Sequence, residues 1–273
     1  MPDLLRFDPA ATERRYDALA LYMQTRVLSL GNFCCANEHG CRSSLRPGDM
    51  FAAGQLSHVG RHYDLSIDGR PFRILVLGMD TGRPDSGVTL DRRRQQIYDR
   101  IPEAFSRRNP HMRGTSLALR VLLGREDWED RTQEHFLAPN AEPVHLLDAY
   151  AMANSRLCSA FSPGSTKSRG TAQMSVNCLG HLRATLEILE PQVIVIQGTA
   201  VRTAVQPLLP GGQRVSPNLE RAEVAGEPVV LASFAHPSYP GPRFNWSWPT
   251  APYFRAVVLP TLRHARVLAL EGL

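Results

Sequence analysis

The sequence predicts an α/β protein: a doubly wound, three-layer αβα sandwich around a central, mainly parallel sheet of four strands. Three observations carry this expectation. Four short apolar runs, at 73–77, 144–148, 193–196 and 229–234, each end in turn residues. The runs are near-continuously apolar rather than alternating, as in strands covered on both faces. Helical or polar stretches separate them, which is the rhythm of parallel strands joined by crossover helices. With 273 residues and 43% hydrophobic content, the chain can bury one large core. A single domain over 1–273 is expected, with an N-terminal helix and cysteine loop (1–72) ahead of an α/β core (73–273).

In order, residues 9–30 have helical spacing, with Tyr16, Leu19, Leu21, Tyr22 and Val27 apolar and Gly31-Asn32 as the stop. Residues 34–49 read as a loop rich in Gly, Ser, Asn and Pro. It holds Cys34, Cys35 and Cys41, with His39 among them. Residues 58–72 are a polar connection to the first strand, which runs into Gly78-Met79-Asp80-Thr81-Gly82. An irregular region, 79–113, precedes a buried helix at 114–123 and a polar excursion at 125–143. The second strand leads into 149–158 and a Gly/Ser/Pro loop at 159–171. An amphipathic helix, 172–190, stops before Pro191, and the third strand closes at Gln197-Gly198. A helix at 199–208 and a Gly/Pro-rich connection at 209–228, with room for a minor strand, lead to the fourth strand. That strand ends in Ala235-His236-Pro237-Ser238, and a helix at 251–265 finishes the chain.

Net charge is +5 with a pI near 9.2. Lys167 is the only lysine, so the positive charge is almost all arginine. Guanidinium groups grip phosphates bidentately and stack on bases, which makes DNA a candidate partner. Within 79–113, Arg92, Arg93, Arg94, Arg107, Arg108 and Arg113 interleave with Tyr98, Phe105 and His111. That mixture suits phosphate contact and base stacking, and equally a solvated basic face. No apolar run is long enough to span a bilayer, and the N-terminus has no basic-then-apolar leader. A soluble, cytoplasmic monomer without a membrane partner is expected. Five cysteines in such a chain point to metal or catalysis rather than disulfides.

In open α/β sheets, ligands bind beyond the carboxyl ends of the strands. Asp80, Asn154 and His236 follow the first, second and fourth strands. Taken as an ordered set, the stretches Gly78-Met79-Asp80-Thr81-Gly82-Arg83-Pro84-Asp85, Asn154-Ser155-Arg156-Leu157-Cys158 and His236-Pro237-Ser238 resemble motifs of the uracil-DNA glycosylase superfamily. The iron–sulfur members, families 4 and 5, are the nearest in pattern. The passage from Cys178 through Pro191 to Gly198 is similar to the same group, and the likeness covers most of 73–242.

The resemblance implies a monofunctional glycosylase that flips a pyrimidine, most simply uracil, out of DNA and hydrolyses its N-glycosidic bond. Asp80 would position water and favour a cationic sugar; His236 would donate to O2 of the departing base. Asn154 would read N3–H and O4. Gly78, Met79, Gly82, Asp85 and His111 would complete the base pocket. Arg107, Arg108, Ser238, Arg243 and Phe244 would contact DNA, and the loop 239–248, with Tyr239, Trp246 and Trp248, could wedge into the duplex. Cys35, Cys41, Cys158 and Cys178 would hold a 4Fe–4S cluster, with a four-cysteine zinc site as the alternative.

The pattern also departs from the family. Family 4 has alanine-proline where Asp80-Thr81 stands, and the aspartate is similar to family 1. Family 1 has tyrosine where Gly82 stands; family 4 has glycine there, with an acid three residues on, where Asp85 is found. Family 4 stacks a phenylalanine on the base, and His111 is the nearest counterpart. The spacing from Cys34 or Cys35 to Cys41 also exceeds that of family 4. These differences leave three other readings open: a glycosylase for a C5-modified pyrimidine, for example in phage DNA; a non-catalytic iron–sulfur DNA-binding protein; and a SAM methyltransferase. The last lacks the acid that its second strand should supply.

Overall fold

Ile74–Gly78 is buried at every position and is an interior strand of the principal sheet. In the computed structural model, which describes residues 5–30, 32–80, 85–126, 128, 134–137, 143–165, 168–209, 211–224, 226–241 and 243–272, this strand pairs in parallel with Val193–Gln197 on one side and Ala151–Asn154 on the other. Val193–Gln197 pairs in parallel with Glu227–Phe234. Antiparallel strands continue the sheet at both ends. Leu219–Val224 and Gln213–Ser216 extend it beyond Glu227–Phe234, and His58–Val59 pairs with Ala151–Asn154. The protein is thus mixed α/β, with a seven-stranded mixed sheet.

The helices are α1 (Pro9–Arg26), α2 (Glu38–Ser43), α3 (Leu90–Tyr98), α4 (Pro110–Leu122), α5 (Ala172–Leu189), α6 (Thr199–Val205) and α7 (Leu259–Glu271). Both faces of the sheet are covered. Ile74, Val76, Val193 and Val195 join a core with Leu117 and Val121 of α4 and Leu262 and Ala265 of α7. Their neighbours Leu75, Leu77, Ile194 and Ile196 join a second core with Leu19 of α1, Leu182 and Leu186 of α5 and Val201 of α6. This is the period-2 alternation of a strand, with both sides apolar because both sides are buried. Side-chain caps fix the helix starts: Thr89 accepts from the Arg92 amide, Asn109 from Met112 and Thr171 from Met174. Helix α5 stops at Glu190, which is left-handed at φ 44° and precedes Pro191. Among the described residues, no helix is long and apolar enough to cross a membrane.

Several sequence expectations need correction. The run 144–148 is not a strand of the principal sheet. Pro143–His145 pairs with His135–Leu137 in a separate hairpin, and Leu146–Asp148 forms a 3-10 turn. The strand beside Ile74–Gly78 is Ala151–Asn154, whose small residues lack the β-branched signature. Its last residue is Asn154, which therefore stands on the strand end rather than in a loop. The expected helix 9–30 ends at Arg26, where Leu28–Ser29 and Asn32–Phe33 form a short pair. Part of the loop 34–49 is helix α2. The connection 58–72 contains His58–Val59 and a small hairpin of Leu65–Ile67 with Arg70–Pro71. The irregular region 79–113 holds α3 and the first turn of α4. The connection 209–228 is largely two strands whose Arg and Glu side chains hid the β pattern. The last helical stretch runs to Glu271, opening through a π-helical turn at Phe254–Val258.

Gly180 lies exposed in the middle of α5, and a Cβ built there meets nothing within 4 Å. Gly180→Ala is therefore expected to stabilise the protein by about 0.5–1 kcal/mol, read as a raised midpoint in urea denaturation.

Candidate active-site pocket

The carboxyl ends of two adjacent parallel strands form the floor of a pocket. Gly78 and Asn154 are paired in register. A Cβ at position 78 would lie 3.1 Å from Asn154 Oδ1 and 3.8 Å from His111 Cε1. Glycine therefore leaves room for the amide and the imidazole together. Past the strand ends, the Ser155 amide donates to Gly78 O at 2.9 Å and the Arg156 amide to Met79 O at 3.0 Å. These bonds lock the two exiting loops to each other. The pocket above has a volume of about 750 Å³, and Asp80, Asp85, His111, Asn154, His236 and Ser238 all line it.

His236 follows the strand Glu227–Phe234, and its ring is oriented by its own turn. The Ser238 amide donates to His236 Nδ1 at 3.2 Å, and Ser238 Oγ lies 2.8 Å from the same nitrogen. Nδ1 is thus an acceptor, which leaves the ring proton of the neutral form on Nε2. Burial pushes the imidazole below its ordinary value, against an opposing pull from Asp80. His111, in the first turn of α4, lies nearly parallel to His236, with ring centroids 5.9 Å apart and 18° between planes. Burial first, and then His236, push His111 down to about 4. Both rings are accordingly neutral at pH 7. Asn154 is 8% exposed, and its side-chain amide has no hydrogen-bond partner among the described residues. Its donor and acceptor are both unspent.

Asp80 is gripped from the side. Arg156 Nη2 donates to Asp80 Oδ2 at 2.6 Å, and the Ser168 hydroxyl donates to Oδ1. Neither partner is evident from sequence, although Arg156 sits inside the Asn154–Cys158 stretch, two residues after the asparagine. Arg93 and Arg100, at and just beyond α3, also line the pocket. Met79 is half-buried, with its sulfur 3.2 Å from the Ser155 hydroxyl. Asp85 stands at the exposed rim, where its carbonyl accepts from the Gln55 amide. Gly82, expected in the pocket, and Lys167 lie outside the described residues.

Around the pocket, Arg107, Ser238 and Arg243 are exposed, and the Arg243 guanidinium sits over the Phe244 ring at 5.2 Å. Phe244 is held edge-on by Tyr239 and Tyr253, at 5.3 and 5.5 Å. Two expectations fail here. Arg108 is 1% exposed and bonded to Glu134, Ser116 and the Glu103 carbonyl, so it cannot reach a phosphate. Trp246 is fully buried, with its indole N–H on Ala235 O at 2.6 Å, so it cannot wedge into a duplex. Tyr239 and Trp248 remain exposed, and Trp248 carries the Arg113 guanidinium 4.5 Å from its ring centre.

Cys41 lies on α2, Cys178 on α5 and Cys158 just past Asn154, all three buried. Burial raises the Cys158 thiol strongly and Cys178 to about 11, and Cys35 and Cys41 add to both shifts through space. Donors already face the sulfurs: Leu157 N–H is 3.5 Å from Cys178 Sγ, and Asn177 Nδ2 is 3.2 Å from Cys41 Sγ. Cys35 is half-buried beside His181 Nε2 at 3.4 Å, whereas Cys34 is exposed and its thiol points to Gln24 O. Cys35, Cys41, Cys158 and Cys178 are soft sulfur donors on separate segments, the donor type that iron–sulfur and zinc sites use, and burial holds Cys158 and Cys178 as neutral thiols when no cation is bound. Among the described residues, no three His, Cys, Asp or Glu side chains converge closely enough to hold a single metal ion.

Compared with protein-family models and with curated proteins, the chain matches none.

Proposed function

We propose that the pocket is the active site of a monofunctional DNA glycosylase that excises a flipped pyrimidine, uracil in the simplest case, for DNA repair. One observation carries the reading: a strand end and two strand-end loops deliver an uncommitted amide, a neutral histidine donor and a clamped carboxylate into one pocket. Cleaving the N-glycosidic bond leaves an anionic base and a cationic sugar. Nε2–H of His236 suits the charge that develops on O2, and it acts best from a site that excludes bulk water. The Asp80 carboxylate suits the cationic sugar and the attacking water. The Asn154 amide can accept from N3–H while donating to O4. The associated fold reading is a doubly wound αβα sandwich with these groups beyond its parallel strands. DNA is the partner, engaged through Arg107, Arg243 and the exposed aromatic rings, and the protein acts as a cytoplasmic monomer. Cys35, Cys41, Cys158 and Cys178 would hold a 4Fe–4S cluster, which would brace the loops rather than take part in bond cleavage.

A cavity of about 750 Å³ has room for more than a bare pyrimidine, which favours a C5-substituted base as the second reading, in an antiviral role. The test is single-turnover excision from single- and double-stranded oligonucleotides carrying uracil, 5-hydroxymethyluracil or a modified cytosine. The expected product is free base and an intact strand with an abasic site, cut only by alkali or heat, because no described pocket residue offers an amine for a Schiff base. Binding should weaken steeply from about 50 to 200 mM salt. Anaerobically purified protein should show the broad visible absorption of a cluster. A colourless protein with stoichiometric zinc would rule the cluster out, and failure to excise any base would remove the glycosylase reading.

A further inference from the structure

We infer that Arg156 is a positioning residue that fixes the Asp80 carboxylate at the pocket wall; the inference rests on the glycosylase reading. The pair is buried, with side-chain exposures of 11% for Arg156 and 6% for Asp80 and a separation of 2.6 Å. Desolvated at this distance, it is not a loose surface contact. Asp80 is held from two directions, by Arg156 on one oxygen and Ser168 on the other, so its plane cannot turn freely. The clamp is itself built into the backbone. Arg156 N–H is bonded to Met79 O, immediately before Asp80. Gly170 lies flat against the guanidinium: a Cβ there would fall 1.7 Å from Arg156 Nη1. The loop bearing Ser168 and Gly170 is tied down by reciprocal backbone bonds between Arg169 and Ala160. The glycine makes the berth for the arginine, and the arginine sets the acid.

A residue that works only through another leaves a recognisable kinetic pattern. Displacing a catalytic group by about 1 Å can cost on the order of 100-fold in rate without touching affinity. Arg156→Ala should therefore lower single-turnover excision by about that factor. Affinity for DNA carrying a non-hydrolysable 2′-fluoro nucleotide should be unchanged. Arg156→Lys, which keeps the charge but not the planar fork, should fall between. The double variant Asp80→Asn/Arg156→Ala should be no slower than Asp80→Asn alone, because there is no carboxylate left to place. Multiplicative losses in the double variant, or excision at the wild-type rate in Arg156→Ala, would overturn the positioning role. A separate measurement reads the clamp without any reaction. The Arg156 side-chain ¹⁵N signals should shift on Asp80→Asn, and signals that stay in place overturn the pair itself. If the wild type excises no base, the glycosylase reading falls and takes the positioning role with it, while the ¹⁵N signals still report whether the pair exists.

Discussion

On the proposed function, replacing His236 by alanine is expected to slow excision by about 100- to 1000-fold, with the fold and the affinity for DNA retained. His236 is exposed at the pocket wall, and its ring bonds only to its own Ser238 turn, so its loss leaves no buried group without a partner. What would disappear, on that proposal, is the Nε2–H donor for negative charge that exists only as the bond breaks. Because the donor acts on the transition state, the loss should appear in the single-turnover rate and not in binding. His236→Gln, which offers an amide donor of similar reach, should recover part of the rate. An alanine variant that excises at the wild-type rate would remove His236 from the chemistry.

Replacing Arg108 by methionine destabilises the protein by about 3–5 kcal/mol, because one half of a buried ion pair is left uncompensated. Its two Nη groups reach both Glu134 oxygens, at 2.7 and 2.8 Å, and His145 Nε2 stands 3.4 Å from the same carboxylate. Burial alone would raise Glu134; His145 and Arg108 outweigh it and hold the carboxyl down at about 2. A carboxyl lowered in the folded state contributes stability above its unfolded value, about 4.3. That contribution fades as pH falls from there toward 2. In Arg108→Met the same carboxyl is buried without its cation and takes up a proton more readily. The deficit of the variant should thus be largest near neutral pH and shrink on acidification. Urea denaturation of both proteins across pH 7 to 3 measures it, and a constant difference would mean that Glu134 is not what Arg108 compensates.

The sequence exposes what burial on both faces writes into composition. Ile74–Gly78, Val193–Gln197 and Glu227–Phe234 are legible because strands covered on both sides have no polar alternation to obscure them. Ala151–Asn154 is not, since Ala-Met-Ala-Asn has the look of helix or loop and becomes a strand only through its neighbours. The edge strands fail for the opposite reason: half-exposed, with Arg and Glu outward, they resemble solvent-facing connection. At the pocket, Asp80, Asn154 and His236 come together from places 74 or more residues apart because each ends a parallel strand. The ion pair that holds Asp80 is a tertiary fact, and no local pattern in 154–158 announces it. Arg107 and Arg108 show the limit most plainly. They are adjacent and identical in kind, yet one faces solvent and the other is sealed in the core.

The five residues from Asn154 to Cys158 carry three attachments in succession: an amide in the pocket, a guanidinium on Asp80, and a backbone N–H on Cys178 beside a buried thiol. The guanidinium and the backbone N–H are fixed to different parts of the molecule, and the amide is placed by the strand end that carries it. One added residue in an extended chain advances everything beyond it by about 3.3 Å and turns the next side chain to the opposite face. A single insertion here would therefore place the amide or the cysteine correctly, but not both. Among descendants of this chain, the count between Asn154 and Cys158 should be inherited unchanged, and Arg156 with it, even where Ser155 and Leu157 drift.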